Sequence, residues 1–166
     1  MFRDMRRKKQ ALDEQACLDV LKRGEWGVLG LLGDDGYPYT VPLNYVFHDG
    51  RLYFHCAREG HKIDALKRCD KASFCVVDRS DLLPSEITTL YRSVIVFGRL
   101  RVVDDQETRV RSLTALTKAL SEGESEESQQ AEIERCWRLG TVEMLELVPE
   151  HISGKQAKEL MTGSGE

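Results

Sequence analysis

The chain has 166 residues, of which 41% are hydrophobic and 31% are charged, and its formal net charge is −4 at pH 7. This length and composition predict one globular domain with enough chain to bury a core. The negative charge disfavours a general nucleic-acid-binding protein, and no apolar run approaches the roughly 18 residues that a membrane-spanning helix needs. No apolar stretch follows the basic N-terminal residues, as a secretory signal requires, so we expect a cytoplasmic protein.

The five cysteines show neither a disulfide nor a zinc-binding pattern. Their number is odd and no CxxC pair occurs, so we expect reduced thiols and no metal site. The histidines are scattered along the chain, and the spacing of His55 and His61 does not form a metal-ligand motif.

The first predicted elements are a basic arm and a helix. Residues 1–10 carry several arginines and lysines and are expected to be mobile or docked on a partner. Asp13 is suited to cap a helix over residues 14–23, and Gly24 is suited to end it. A short apolar strand is predicted over residues 26–32.

A hairpin and an unusual strand follow. The glycines and aspartates of residues 33–36 predict a tight turn. The next strand is predicted over residues 37–47, but Pro38 and Pro42 lie inside it and cannot donate to a ladder. We therefore expect an edge, bulged or locally unpaired strand whose backbone is free to face a ligand.

The third predicted strand, residues 51–56, alternates in polarity. Leu52 and Phe54 share one face with Cys56, whereas Tyr53 and His55 share the other. A helix over residues 61–69 follows.

The start of that helix is the most informative feature of the chain. A glycine-bearing loop delivers Gly60, His61 and Lys62 to the end of a helix where N–H groups are unpaired and the dipole is positive. These groups together favour a phosphate site. The alternative interpretation is that Lys62 is a solvated surface lysine and that His61 is an exposed helix start.

The remaining chain predicts more strands and two more helices. The predicted elements are a central strand at 72–77, a loop at 79–88, a strand at 89–103 bent at Gly98, a helix at 105–120, an acidic loop at 121–128, a short helix reaching Trp137 and a strand at 141–148. Six mostly meandering strands with a few helices favour a closed or split barrel of the α+β class. We divide the chain into the arm at 1–10, one domain at 11–155 and a C-terminal tail at 156–166.

The ordered set of motifs resembles the FMN-binding split barrels related to pyridoxamine 5′-phosphate oxidase, and most of all the branch that includes the nitroimidazole-resistance proteins. The segments that carry this resemblance are DGYPYTVPLN at 35–44, LYFHCA at 52–57, GHK at 60–62, YRSVIVFG at 91–98 and ISGK at 152–155. The resemblance implies a six-stranded antiparallel split β-barrel with flanking helices, assembled as a homodimer with FMN at the subunit interface.

The resemblance also implies which residues bind FMN. The backbone of the second strand would follow the flavin ring, at Thr40, Val41, Pro42, Leu43 and Asn44. The third strand would bring His55 and Cys56 to the phosphate and ribityl part, His61 and Lys62 would grip the phosphate, and Ser93 would reach the flavin. The alternative for His55 is that it points to the barrel surface. The alternative for Asn44 is that it has only a structural role.

Two departures from the oxidases bear on function. The chain has His61 and Lys62 where the oxidases tend to have arginine and lysine, so one charge is weaker and pH-dependent. The segment 155–166 lacks their basic and aromatic C-terminal residues, so we expect no true pyridoxamine 5′-phosphate oxidase activity.

Three functions follow from these observations. The first is an FMN-dependent oxidoreductase that reduces a small electron-poor substrate such as a nitro-aromatic compound. The second is a non-catalytic flavin carrier or sensor, and the third is a haem protein with His151 or His55 as axial ligand. No Ser-His-Asp order, carboxylate pair or metal cluster stands out, so no catalytic residue is assigned.

Overall fold

The computed structural model describes residues 2–140 and 142–161, without the side chains at positions 137 and 139. The strands are β1 Trp26–Leu32, β2 Pro38–Asn44, β3 Val46–His48, β4 Arg51–Ala57, β5 Lys71–Leu83, β6 Thr88–Val102 and β7 Val142–Gln156. The α-helices are α1 Glu14–Arg23, α2 His61–Arg68, α3 Gln106–Leu120 and α4 Glu126–Leu139. No helix within the described ranges is both long and apolar enough to cross a membrane.

The strands form one antiparallel sheet in the order β2-β1-β5-β6-β7-β4-β3. β2 and β3 are the two edges of this sheet, yet only Tyr45 separates them in the chain. The sheet must therefore curl until its edges meet, which produces a split barrel. The α+β split-barrel prediction is confirmed, with seven strands in the described chain where six were predicted.

Tyr45 explains the additional strand. The predicted strand at 37–47 breaks there because β1 begins at Trp26, which pairs with Asn44, and offers no partner beyond it. The chain instead crosses to β4. Tyr45 is buried, its backbone N–H donates to the Glu25 carbonyl at 3.1 Å, and its hydroxyl donates to the Leu21 carbonyl at 2.9 Å.

Alternate side chains of the strands fill the barrel. Leu29, Phe54 and Val96 are fully buried there, and the helices α1 and α2 add Leu21 and Ala65 to the same core. As predicted, Asp13 caps α1, accepting a hydrogen bond from the Ala16 N–H at 2.8 Å.

The helices α3 and α4 cover part of the outer face of the barrel. They pack on side chains of β4 and β7 that point away from the core, in a second cluster made by Tyr53, Val103, Leu113, Leu116, Ile133 and Met144. The predicted helix at 105–120 is confirmed, and Asp105 caps it by accepting from the Thr108 N–H at 2.8 Å.

A different part of the outer face carries exposed apolar side chains. On β1, β5 and β6 these are Trp26, Leu32, Val77, Ile95 and Phe97, which are 37–55% exposed. At its margin, the Phe2 ring of the N-terminal arm stacks on His151 with 4.7 Å between centroids. We call the five residues the apolar sheet face.

Three predictions of element extent were wrong. Residues 79–88 are largely paired, because β5 and β6 continue as an exposed ribbon that turns at the 3₁₀ segment Pro84–Glu86. Because this ribbon contains many polar and charged side chains, its sequence pattern does not indicate that its backbone is paired. The acidic loop is shorter than predicted, since α4 begins at Glu126, and the last strand continues to Gln156.

Gly24 and Tyr45 generate a prediction about the stability of the barrel closure. A Cβ on Gly24 would collide with the Tyr45 hydroxyl. We expect Gly24→Ala to lower the free energy of unfolding by about 1–3 kcal/mol through overpacking, and Tyr45→Phe to lower it by about 1 kcal/mol through loss of a hydrogen bond. The double variant should lose less free energy of unfolding than the two single variants lose together, because Tyr45→Phe removes the atom with which the new Cβ collides.

Urea unfolding of the four proteins measures this coupling. Tyr37→Phe is the matched control, since Tyr37 is 75% exposed and its variant should unfold like the parent protein. Strictly additive losses for Gly24→Ala and Tyr45→Phe would show that the two residues do not constrain each other.

Candidate functional site

The start of α2 presents an uncapped helix end. Gly60 precedes it with φ 115° and ψ 173°, a conformation that favours glycine, and no side chain caps the helix. The Gly60 carbonyl accepts the Ile63 N–H at 2.9 Å. The N–H groups of His61 and Lys62 belong to the first turn and have no acceptor within the helix, so they are suited to an anion.

His61 is tied to the turn between β1 and β2. Its ring stacks on Tyr39 with 4.0 Å between centroids, and its Nε2 lies 3.4 Å from an Asp34 carboxylate oxygen. The other Asp34 oxygen pairs with the Arg68 guanidinium at 2.7 Å. These contacts fix where α2 begins relative to β2, and they occupy one edge of the His61 ring.

Lys62 has no such partner. Within the described ranges it forms no ion pair, and its side chain is half-buried. A half-buried lysine without an ion-pair partner, next to two N–H groups that have no acceptor within the helix, is suited to bind a phosphate. Asp34 and Tyr39, which anchor the neighbouring His61, were missed in the sequence because their contacts join segments that are distant along the chain.

The end of β4 lies beside Lys62. Desolvation by the surrounding protein lowers the pKa of His55, although part of its ring is exposed, and the charge of Lys62 lowers it further. His55 is therefore neutral near pH 7. Cys56 points into the barrel core, and burial raises the pKa of its thiol. Cys56 can thus reach a ligand on the outside only through its backbone.

The five predicted residues of β2 divide between two faces. Thr40, Pro42 and Asn44 are exposed, whereas Val41 and Leu43 are half-buried against the barrel core. The Asn44 side-chain amide donates to the Glu25 carbonyl at 3.2 Å, so it also has a structural role at the barrel closure. Val41 and Leu43 offer only their backbone to a ligand on the outer face.

A shallow groove of about 390 Å³ runs along the outer face from β2 to β6. Its lining comprises Gly30, Leu31, Leu32, Gly36, Pro38, Thr40, Lys71, Ala72, Ser73 and Phe97. Pro38 and Thr40 flank Tyr39, whose ring stacks on His61. The Tyr39 ring lies on the opposite face of β2 from Pro38 and Thr40, so the groove and the start of α2 lie on the two sides of this edge strand.

Ser93 is remote from this group. It pairs with Val77 of β5 and Lys155 of β7, so two strands separate it from β2 and one strand separates it from β4. One copy of the chain thus brings His55, Cys56, His61, Lys62 and the start of β2 together, and leaves Ser93 apart.

His151, the other histidine considered as a haem ligand, lies elsewhere. It lines a cavity of about 420 Å³ between α1 and β7, with Leu12, Glu14, Cys17, Leu18, Pro149, Glu150 and Ile152. The Phe2 ring covers one face of its imidazole.

A family model described as pyridoxamine 5′-phosphate oxidase matches residues 13–156. The chain belongs to this family. The match covers most of the chain, and it confirms the resemblance inferred from the ordered motifs. A comparison with curated proteins finds no significant match.

Solved structures share the fold at low sequence identity. A protein from Bacteroides thetaiotaomicron proposed to act in 5-nitroimidazole antibiotic resistance is 20% identical, with a TM-score of 0.70 over 88% of this chain and 86% of that one. An FAD-binding protein from Mesorhizobium loti is 22% identical, with a TM-score of 0.65 over 90% and 98%. An FAD- and haem-binding protein from Mycobacterium smegmatis is 20% identical, with a TM-score of 0.69 over 95% and 81%.

Proposed function

We propose that this chain is an FMN-dependent flavoprotein that transfers electrons to small electron-poor acceptors. The observation that carries the proposal is the start of α2, where no side chain caps the first turn and Lys62 has no carboxylate partner within the described ranges. Family membership supports a flavin, and two of the structurally similar proteins are described as binding FAD.

The residues of the site fit a phosphorylated flavin. Lys62 and the N–H groups of the first turn of α2 would hold the phosphate, and the β2 backbone with Thr40 would face the ring in the groove. A bound flavin supplies the electron transfer itself, so the chain has to bind it, orient it and limit the access of water. Neutral His55 beside Lys62 adds a hydrogen-bonding group without a second charge.

We propose that the chain forms a homodimer, because the groove proposed for the flavin ring is exposed. A flavin ring in a shallow groove remains open to water unless a second surface covers it. The apolar sheet face borders this groove through Phe97 and Leu32, and exposed apolar patches commonly mark interfaces. We propose that a second copy covers it, and that Ser93 of one copy approaches the flavin held by the other.

We further propose that the acceptors include nitro-aromatic compounds. The support is the similarity to the Bacteroides thetaiotaomicron protein proposed to act in nitroimidazole resistance. Residues 157–161 after β7 contain no arginine and no aromatic residue to hold the phosphate of pyridoxamine phosphate. A non-catalytic flavin carrier would bind FMN equally well but would not turn over either compound.

Haem binding is a second candidate, favoured by the position of His151. This histidine lines a cavity whose walls include Leu12, Leu18 and Ile152, and one similar structure is described as binding haem in addition to FAD. The visible spectrum of the purified protein distinguishes the two cofactors, because flavin gives broad absorption bands whereas haem gives an intense, sharp Soret band.

We predict that Lys62→Ala weakens FMN binding at least about tenfold, which corresponds to about 1.4 kcal/mol. This is the low end for the loss of a charged hydrogen bond. Riboflavin, which has no phosphate, should bind more weakly than FMN to the parent protein and equally to both proteins. Fluorescence titration measures all four affinities.

Lys67→Ala is the matched control, because Lys67 lies in the last turn of the same helix and is paired with Asp64. Its FMN affinity should equal that of the parent protein. Equal weakening by both substitutions, or equal affinity of the parent for FMN and riboflavin, would contradict the phosphate assignment.

The reduced, FMN-loaded protein should pass electrons to a nitroimidazole, and it should oxidise pyridoxamine phosphate with a kcat/KM below about 10⁴ M⁻¹s⁻¹. Stopped-flow reoxidation of the flavin under anaerobic conditions measures the first reaction, and steady-state assay measures the second. Reoxidation that is no faster than that of free reduced FMN would favour the carrier interpretation.

We predict that the protein is a dimer in solution and that Ile95→Asp makes it monomeric and weakens FMN binding at least about tenfold. Ile95 lies on the apolar sheet face and is 37% exposed. A buried carboxylate without a partner disfavours association strongly. Light scattering measures the molecular mass with and without FMN.

Val110→Asp is the control for this substitution, since Val110 is similarly exposed at 41% but lies on α3. It should leave the protein dimeric. A parent protein that is monomeric at micromolar concentration with FMN bound would refute the proposed interface.

A further inference from the structure

Lys155 is a half-buried cation without a carboxylate partner. It ends the segment ISGK at 152–155, close to the end of β7, and within the described ranges it forms no ion pair. Its ammonium nitrogen lies 5.2 Å from the centroid of the Tyr91 ring. An aromatic ring attracts a cation but does not neutralise its charge, so Lys155 is left with a positive charge to offer to a ligand.

Lys155 adjoins the apolar sheet face. In the sheet register it pairs with Ser93 of β6, and Ser93 pairs with Val77 of β5. Residues that are paired across antiparallel strands point to the same side of the sheet, with Cβ atoms about 4.5–5.5 Å apart. Lys155, Ser93 and Val77 therefore form one row on the outer face, and Val77 belongs to the apolar sheet face itself.

The surface next to this row contains no acidic side chain that could neutralise Lys155. Among the described residues, those that point outward on β1 and on β5 before its bulge are Trp26, Val28, Gly30, Leu32, Lys71, Ser73, Cys75 and Val77. Removing a cation from water without a partner is costly. When a second copy covers this face, as proposed, the charge of Lys155 is best satisfied by a bound molecule with negatively charged oxygens.

Within one copy, Lys155 is remote from the proposed phosphate site. The start of α2 follows the end of β4, where Ala57 pairs with Val142 at the beginning of β7. Lys155 lies near the other end of β7, which is 15 residues long. At about 3.3 Å per residue, the two positions are roughly 40 Å apart along the strand. Lys155 is therefore better placed to serve the flavin of a second copy than that of its own.

We propose that Lys155 of one copy binds the electron-accepting group of the substrate at the flavin held by the other copy. This inference rests on the proposed flavin site and homodimer, in which Ser93 approaches that flavin. The nitro group of the proposed acceptors carries partial negative charge on two oxygens, and an ammonium stabilises such charge in a site from which water is excluded. Lys155 would thus favour aromatic acceptors whose substituent has the shape and charge distribution of a carboxylate.

Benzoate tests this contact without electron transfer, because its carboxylate has the shape of a nitro group and reduced flavin does not reduce it. Calorimetric titration of the oxidised, FMN-saturated protein measures its affinity, and benzamide is the uncharged probe. Lys155→Met removes the charge and keeps the length of the side chain, whereas Lys155→Arg keeps the charge. Lys158→Met is the matched control, since the Lys158 side chain is 80% exposed a few residues further along the same segment.

We expect Lys155→Met to weaken benzoate binding at least about tenfold, and Lys155→Arg and Lys158→Met to stay within about threefold of the parent affinity. Benzamide should bind the parent protein more weakly than benzoate and should not respond to Lys155→Met. Benzoate that binds the parent and Lys155→Met equally, or that does not bind the parent, would overturn the proposal. Equal weakening of benzoate and benzamide by Lys155→Met would do the same, because the effect would not then depend on charge.

A mixed dimer tests whether Lys155 acts across the interface. One copy carries Lys62→Ala and the other carries Lys155→Met, with different affinity tags, and FMN is added at a concentration between the dissociation constants of the two copies. FMN then occupies mainly the Lys155→Met copy, and the intact Lys155 belongs to the opposite copy. Benzoate should bind this dimer with the parent affinity and about half the parent stoichiometry. Binding as weak as that of the Lys155→Met homodimer would show that Lys155 acts within its own copy, and would overturn the assignment.

Failure of the proposed function gives a different result. The affinity of the parent protein for FMN is measured separately, so a protein that binds FMN but shows no effect of Lys155 on benzoate refutes only this inference. A parent protein that binds no flavin refutes the proposed function and this inference together.

Discussion

The burial of Tyr45 is the constraint on which the rest of the structure depends. The chain passes from one edge of the sheet to the other across this single residue, so the seven-stranded sheet has to curl. The Tyr45 hydroxyl and backbone bind carbonyls at the end of α1 and just beyond it, which fixes α1 against the closure. Gly24 lies there because a side chain would meet that hydroxyl. The contacts of one residue with the end of α1 thus accompany the closure of the barrel.

The curl of the sheet also creates the candidate site. The turn between β1 and β2 approaches α2, which follows β4 near the opposite edge of the sheet, and Asp34 and Tyr39 join the two through His61. The His61 ring therefore has a structural role, whereas the Lys62 side chain remains available to a ligand. The two neighbouring residues thus differ in role: His61 positions the helix, and Lys62 is left for the proposed phosphate contact.

The sequence predicts those parts of the fold that local rules govern. Caps, turn glycines and alternating polarity place α1, α2, β1 and β4 to within about a residue, since these signals act over a few positions. The break at Tyr45 and the ribbon at 79–88 depend on which strand supplies the partner, and no local pattern contains that information. For the same reason the site was predicted as a set of motifs, while the separation of Ser93 from Lys62 emerged only from the tertiary arrangement.

The distribution of apolar surface supports the proposed homodimer. α3 and α4 bury part of the outer face of the barrel, around Tyr53 and Met144, whereas Trp26, Ile95 and Phe97 remain exposed on another. None of the described helices covers these exposed apolar side chains. Ser93 lies on the same strand as Ile95 and Phe97. A second copy on that face would remove this surface from water, and it would also bring Ser93 close to the flavin proposed to bind to the other copy.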